Sequence, residues 1–215
     1  MDGLLIDSER YMWNISMDIA CKEQGFEITD EFHAKLMGLN KAYTSAKLQE
    51  HFGPTFDVDR FYERVAIEND RIMQNGIPLM KGTLQLLDYL DSVGIKKFIG
   101  TSTNRSRAER VLKIDGIYDR FDGMVCGDEI SKGKPDPEIY LRCFNNFNFD
   151  KSEALVFEDA EVGGRAAIAA GIRLVLVPDL AYLSDDIKDK AYKVISDLSQ
   201  IIDIIKKENE TTTSI

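Results

Sequence analysis

Cysteine, histidine, basic charge and long apolar runs are all scarce in this chain. Its 215 residues include three cysteines and two histidines. Cys21, Cys126 and Cys143 are odd in number and far apart, so they trace neither a disulfide framework nor a zinc pattern. A reducing, cytoplasmic compartment is expected. His33 and His51 fall on polar helical stretches, which places both at the surface and in no metal pair. No stretch approaches the roughly 18 consecutive apolar residues of a membrane-spanning helix. Residues 1–20 hold no basic segment followed by an apolar run, so no secretory leader is expected within them. Lys and Arg total 27 against 37 Asp and Glu, a net charge of −10. With no basic face to neutralise phosphates, nucleic acid and anionic membranes are excluded as partners. A small anionic substrate stays open, because one Lys and a bound cation can invert a local field.

What is present is a globular composition, 44% hydrophobic and 30% charged with both signs interspersed. That suffices for one core domain, or a core domain with a small insertion. Residues 9–75 read as helical throughout. Met12, Ile15 and Ile19 recur at helical spacing up to Gly25, further helices follow near 30–37, 41–51 and 58–74, and no strand is expected there. From Met80 the pattern alternates. Helices at 82–93, 105–113, 136–146 and 162–170 interleave with strands at 96–101, 124–126, 154–157 and 173–177, and a last helix covers 197–207. Residues Glu208–Ile215 are expected to fray. Short buried strands between helices indicate a parallel, doubly wound α/β sheet. The expected organisation is therefore a core of residues 1–8 and 80–215, with residues 9–79 inserted as an all-helical domain.

Ligands of open α/β sheets bind beyond the carboxyl ends of the strands. Four polar clusters fall at such ends: Asp2-Gly3, Thr101-Ser102-Thr103-Asn104, Lys134-Pro135-Asp136-Pro137 and Glu158-Asp159. Each has a plainer use. Asp-Gly makes turns, a hydroxyl run caps helices, and Lys-Pro-Asp-Pro leads into a helix. Glu158-Asp159 resists such dismissal, because adjacent carboxylates after Leu155-Val156-Phe157 repel unless a cation or hydrogen bonds offset them.

Acid, hydroxyl, lysine and paired acids at successive strand ends resemble the four signature motifs of the haloacid dehalogenase superfamily. The later motifs, Gly133-Lys134-Pro135-Asp136-Pro137-Glu138-Ile139-Tyr140 and Leu155-Val156-Phe157-Glu158-Asp159-Ala160, are the tightest. Gly163 and Ala166-Ala167-Ile168-Ala169-Ala170-Gly171 extend them. With Asp2-Gly3-Leu4-Leu5-Ile6-Asp7-Ser8-Glu9 they are similar to the β-phosphoglucomutase-like, pseudouridine-5′-phosphatase-like branch. The resemblance implies Mg²⁺-dependent hydrolysis of a small phosphorylated sugar or nucleoside through an aspartyl-phosphate. It implies a carboxylate of Asp159 and the backbone carbonyl of Asp2 as metal ligands, with Glu158 nearby. Thr101 would donate to the phosphoryl group, Lys134 would pair with it, and the Asp2 side chain would serve as general acid and base. Ser102, Asn104 and Lys41 are candidates for substrate contact, Lys41 from a cap loop, Gly38-Leu39-Asn40-Lys41. A monomer or weak homodimer is expected.

The same resemblance puts the nucleophilic Asp, and the strand leading to it, immediately before Met1. Residues 1–215 alone are thus expected to be inactive, with the start lying upstream. Met12 replaces a His seen in β-phosphoglucomutases, which favours a phosphatase over a phosphosugar mutase. Lys81 takes the place of a frequent Pro. A catalytically dead, regulatory family member is the reading of a different class.

Overall fold

Phenylalanine builds the first of two units, residues Asp7–Ile77. The computed structural model describes residues 1–36, 41–147 and 149–212, with the backbone alone described at 12, 13, 34, 41 and 208–212. A π-helical segment, Glu9–Asn14, runs into α1 (Ile15–Lys22), followed by α2 (Asp30–Leu36), α3 (Lys41–Phe52) and α4 (Val58–Gln74). The helix α4 starts where the Asp57 carboxylate accepts from the Arg60 N–H at 3.0 Å, an N-cap that satisfies an otherwise unpaired donor. Its Phe61, Val65 and Met73 are buried on one face. Met17, Leu36, Leu48, Phe56 and Phe61 are the centre of the core. Phe52 sits 5.0 Å from Phe26 and 4.9 Å from Phe56, centroid to centroid. Each buried Phe contributes about 1.5–3 kcal/mol. Glu68 is buried among them, accepting from Arg64 Nη2 at 2.5 Å and Arg71 Nε at 2.9 Å.

His33 corrects the sequence reading, for it is 8% exposed. Asp30, Glu31 and Lys35 make α2 look polar, yet the face carrying Phe32, His33 and Leu36 turns inward. His51 is exposed as expected, with its ring stacked on Phe32 at 3.8 Å.

The second unit, Met1–Ile6 with Pro78–Ile215, is α/β. Its elements are α5 (Thr83–Ser92), β1 (Phe98–Gly100), α6 (Arg105–Ile114), β2 (Gly123–Val125), α7 (Glu138–Phe147), β3 (Leu155–Glu158), α8 (Glu161–Ala169), β4 (Arg173–Leu176), α9 (Asp185–Lys190), β5 (Lys193–Val194) and α10 (Ile201–Thr212). Every strand pair is parallel: Ile99 faces Met124, Val156 faces Leu174, and Val175 faces Lys193. The strands form two sheets, β1–β2 and β3–β4–β5. β4 shows why its sequence is a continuous apolar run. Leu174 and Leu176 join a cluster with Ile139, Ala166 and Ala167, while Val175 and Val177 join Leu86, Leu90, Leu198 and Ile201. Alternate side chains thus enter cores on opposite faces of the sheet, and helices cover both.

The expected strands and helices recur with shifts of a few residues. The sequence reading held no counterpart of α9 and β5. β5 is two residues long, and Lys193 and Val194 are both exposed, so no apolar run announces it. The last helix also runs on to Thr212, past the expected fraying point.

Candidate active site

Lys134 ties two strand ends together. Its Nζ donates to the Gly100 carbonyl, the last of β1, at 3.3 Å, and to Glu158 Oε1, the last residue of β3, at 2.5 Å. The Tyr140 hydroxyl, carried by α7, donates to the same Oε1, and the Tyr140 ring lies 5.2 Å from the ammonium. Gly163, in the first turn of α8, closes the cage, because a methyl group there would overlap the Glu158 carboxylate. Burial and then the Glu158 charge hold the Tyr140 phenol well above its ordinary pKa, so it stays a proton donor.

Asp159 follows directly and lies against Gly3. A methyl built on Gly3 would overlap Asp159 Oδ2 and stand 3.1 Å from Cγ, and Gly3 holds φ at +69°. Both facts require glycine there. Asp2-Gly3 is therefore a fitted contact as well as a turn. The Asp2 side chain accepts a 2.8 Å hydrogen bond from Thr103 Oγ1, which fixes its orientation.

Thr101 is 3% exposed. Its N–H reaches Val125 O at 3.0 Å, and its Oγ1 accepts from the Thr103 N–H at 3.2 Å. A hydroxyl that accepts in this way keeps its own hydrogen for another acceptor. The loop after β1 is fastened to the loop after β2: Gly127 N–H donates to Thr103 O at 3.0 Å, and Arg105 N–H to Asp128 Oδ1 at 2.9 Å. A methyl on Gly127 would overlap the Ser102 carbonyl.

Glu158 and Asp159 are each 7% exposed, and Lys134 is hydrogen-bonded to Glu158 alone. Burial pushes the Asp159 carboxyl up to about 6; the Glu158 charge adds to this, while the chain's amino terminus and Lys134 oppose it. The site is thus short of positive charge, which is where a cation is stabilised. Among the described residues no three or more His, Cys, Asp or Glu converge as a metal cluster. A hard divalent cation fits nonetheless: it uses one or two carboxylates, takes carbonyl oxygens and retains waters. The Asp159 carboxylate beside the Asp2-Gly3 backbone meets that description.

The structure therefore brings together Asp2, Thr101, Lys134, Glu158 and Asp159. Ser102 is exposed. The Asn104 oxygen accepts from Arg107 N–H at 3.0 Å and caps α6, the plainer use left open for this run. Lys41 opens α3, but its side chain, like Gly38, Leu39 and Asn40, lies outside the described residues, as does the Met12 side chain. Sequence reasoning assigned no role to Thr103 or Tyr140. Thr103 sat within the hydroxyl run and Tyr140 closed the lysine motif, six residues after Lys134, but nothing in either position announced a carboxylate partner. The thiols take no part. All three cysteines are free, and burial pushes Cys21 up to about 12, Cys126 to about 11 and Cys143 to about 12.

The chain is similar to proteins of known sequence and structure. A family model described as haloacid dehalogenase-like hydrolase matches residues 1–177. A phosphorylated carbohydrates phosphatase from Thermotoga maritima is 32% identical over 176 residues, covering 81% of each chain. A Drosophila melanogaster protein described as a pseudouridine-5′-phosphatase on balance of probability is 29% identical over 205 residues, covering 93% of this chain and 87% of its own. The crystal structure of a Thermotoga maritima protein described as a proposed β-phosphoglucomutase superposes with a TM-score of 0.82 at 28% identity, over 96% of both chains.

Proposed function

We propose, from the premise that the chain belongs to the haloacid dehalogenase-like hydrolase family, that it is a phosphomonoesterase of small phosphorylated sugars or nucleosides, dependent on Mg²⁺. The observation that carries the reading is the convergence of Lys134, Glu158, Asp159, Asp2 and Thr101 at neighbouring strand ends, with carboxylates in excess over cations.

Each group has a task its surroundings suit. The Lys134 ammonium, oriented by Glu158 and Gly100, pairs with a phosphoryl oxygen, and the Thr101 hydroxyl donates to another. The Asp2 carboxyl, held by Thr103, protonates the leaving oxygen and later takes a proton from water. The Asp159 carboxylate and the Asp2 carbonyl would hold Mg²⁺, with Glu158 in a water-mediated contact. A bound Mg²⁺ would supply neutralisation of the phosphoryl charge. The attacking carboxylate, on this reading, belongs to an Asp immediately before Met1 and forms the aspartyl-phosphate. The α/β unit is the catalytic core and the helical insertion its cap, which selects the substrate. Free, buried cysteines suit a cytoplasmic setting, and a monomer or weak homodimer serves the activity. Among the described residues no helix is long and apolar enough to cross a membrane.

The test is phosphate release from a panel of phosphorylated metabolites by the protein extended with the residue before Met1. Asp159→Asn should lower kcat/KM by about 10³-fold or more. It should also raise thermal stability, because it removes a charge that burial disfavours. Full activity in that variant would take Asp159 out of the chemistry. Residues 1–215 alone should leave p-nitrophenyl phosphate intact, and steady turnover by them would contradict the placement of the nucleophile. Isomer formation in place of phosphate release would select a mutase.

A further inference from the structure

Lys134 stands in an irregular loop, residues 130–137, between the short turn Gly127–Glu129 and α7. Ser131, Lys132 and Gly133 are exposed, yet the Lys134 side chain is only 11% exposed and bonded at two strand ends. Two glutamates, each gripped by an arginine, hold the segment. Glu129 fixes its start. Its Oε2 accepts from the Cys126 N–H at 2.7 Å, and Arg105 Nε and Nη2 donate to Oε1 and Oε2 at 2.9 and 2.8 Å. Glu138, in the first turn of α7, fixes the loop itself. Its Oε1 accepts from the Ser131 N–H at 2.9 Å and its Oε2 from the Lys132 N–H at 2.8 Å, one oxygen for each of two successive amides. Arg142, one turn along α7, brings Nε and Nη2 within 2.9 Å of Oε1. An acid in the first turn of a helix ordinarily complements the helix dipole. Here both oxygens are spent on the loop. The Ser131 N–H, joined by the Lys132 N–H and Arg142, holds the Glu138 carboxyl below its ordinary pKa against the opposing effect of burial. The group is therefore ionised at neutral pH, and bonds to an ionised acceptor are the strong ones.

We propose that Glu138 is a positioning residue: by pinning the amides of Ser131 and Lys132 it fixes the backbone from which the Lys134 ammonium reaches the ends of β1 and β3. The sequence shows why a clamp is needed on that side. After Lys134 the chain is stiff, because Pro135 and Pro137 fix their own φ. Before it, Ser131-Lys132-Gly133 has no such restraint and faces water. Two bonds within the loop tighten the connection: the Asp136 N–H donates to Gly133 O at 3.1 Å, and the Glu138 N–H to Asp136 Oδ1 at 3.0 Å. A loop ordered in advance spares the cost of ordering it when an anion arrives. A misplacement of about 1 Å at a charged group can cost about 10²-fold in rate. The pairing of Lys134 with a phosphoryl oxygen rests on the proposed function; the clamp on its loop does not.

The aim of Lys134 can be read without catalysis. The protein and its variants are treated with trace acetic anhydride, and acetylation of each lysine is followed by peptide mass spectrometry, with Lys151 and Lys188 as internal references. Glu138→Ala should raise the relative rate at Lys134 by about fivefold or more, because the released loop opens locally. Glu138→Asp keeps an acid in the first turn of α7, but its shorter side chain cannot span both amides. It should raise the rate at Lys134 nearly as much, with thermal unfolding little changed. Should Glu138→Ala fail to fold, Arg142→Gln, which takes away the guanidinium on Oε1, should still give a rise of about twofold. Native-like labelling of Lys134 in the Asp variant would assign the carboxylate to the helix dipole and overturn the proposal. Equal acceleration of every lysine would do the same, since it reports general loosening. In the phosphate-release assay Glu138→Asp should lower kcat/KM by about 10- to 100-fold. Faster labelling of Lys134 with phosphate release undiminished would leave the clamp in place and remove Lys134 from the proposed chemistry.

Discussion

The helical unit and the α/β unit both bury carboxylates, and they treat them differently. In the helical unit Glu68 takes one arginine on each oxygen, Arg64 half-buried and also paired with Glu23, Arg71 with 69% of its side chain exposed. Nothing is left uncompensated, and the arrangement locks α4 to itself. In the α/β unit Glu158 and Asp159 are adjacent and equally buried, and the one lysine beside them, itself nearly buried, pairs with Glu158. Asp159 is pushed up to about 6. A fold built only for stability has no reason to carry that excess; a cation site does. Balanced burial marks architecture, and unbalanced burial marks chemistry.

Removing a cation from each unit should separate the two cases most sharply. Lys134→Ala leaves two buried carboxylates with no cation beside them, Glu158 keeping only the Tyr140 hydroxyl, and should cost about 3–5 kcal/mol in denaturant unfolding. Arg71→Ala, at an exposed member of a triad, should cost about 0–1 kcal/mol. Equal costs would dissolve the distinction. Tyr140→Phe comes next. It keeps the ring against Gly100 and removes only the hydroxyl donated to Glu158, for an expected loss of about 1.5–3 kcal/mol. A neutral outcome would mean that Lys134 alone orients Glu158.

The same contrast explains what the sequence disclosed. The motif residues were legible because strand ends are fixed by apolar runs such as Leu155-Val156-Phe157, and polar residues directly after them have few structural uses. The partners of those residues were not legible. Tyr140 and Thr103 become site residues only through contacts made 18 and 101 positions away in the chain. β5 escaped because its two residues are held by backbone pairing to β4, with no buried side chain to mark them. The division of the strands into two sheets was equally hidden, since pairing partners are not written in periodicity. His33 was misread for a simpler reason: a seven-residue helix offers too few positions for its inward face to be told from its polar neighbours.

That histidine gives the smallest of the expected effects. Both histidines of the chain, His33 and His51, lie in the helical unit. His33 is buried, and its Nε2 has no hydrogen-bond partner among the described residues. Burial lowers its pKa, with Asp30 and Asp18 pulling the other way. The unfolded chain then binds a proton before the folded one does. Stability from this group is complete above the ordinary histidine pKa and is lost as the pH falls below it toward the depressed folded value. Asp159 titrates in the same window with the opposite sign. Its raised folded pKa means the folded state holds the extra proton, so stability is lost as pH rises from its ordinary value of 3.8 through about 6. Mild acidification from pH 7 to pH 5 should therefore loosen the helical unit while firming the α/β unit. Amide exchange resolved by residue reads the two separately. His33→Gln should remove the acid response from α2 and its neighbours and leave that of β3 unchanged; an unchanged response at α2 would show that His33 is not its source.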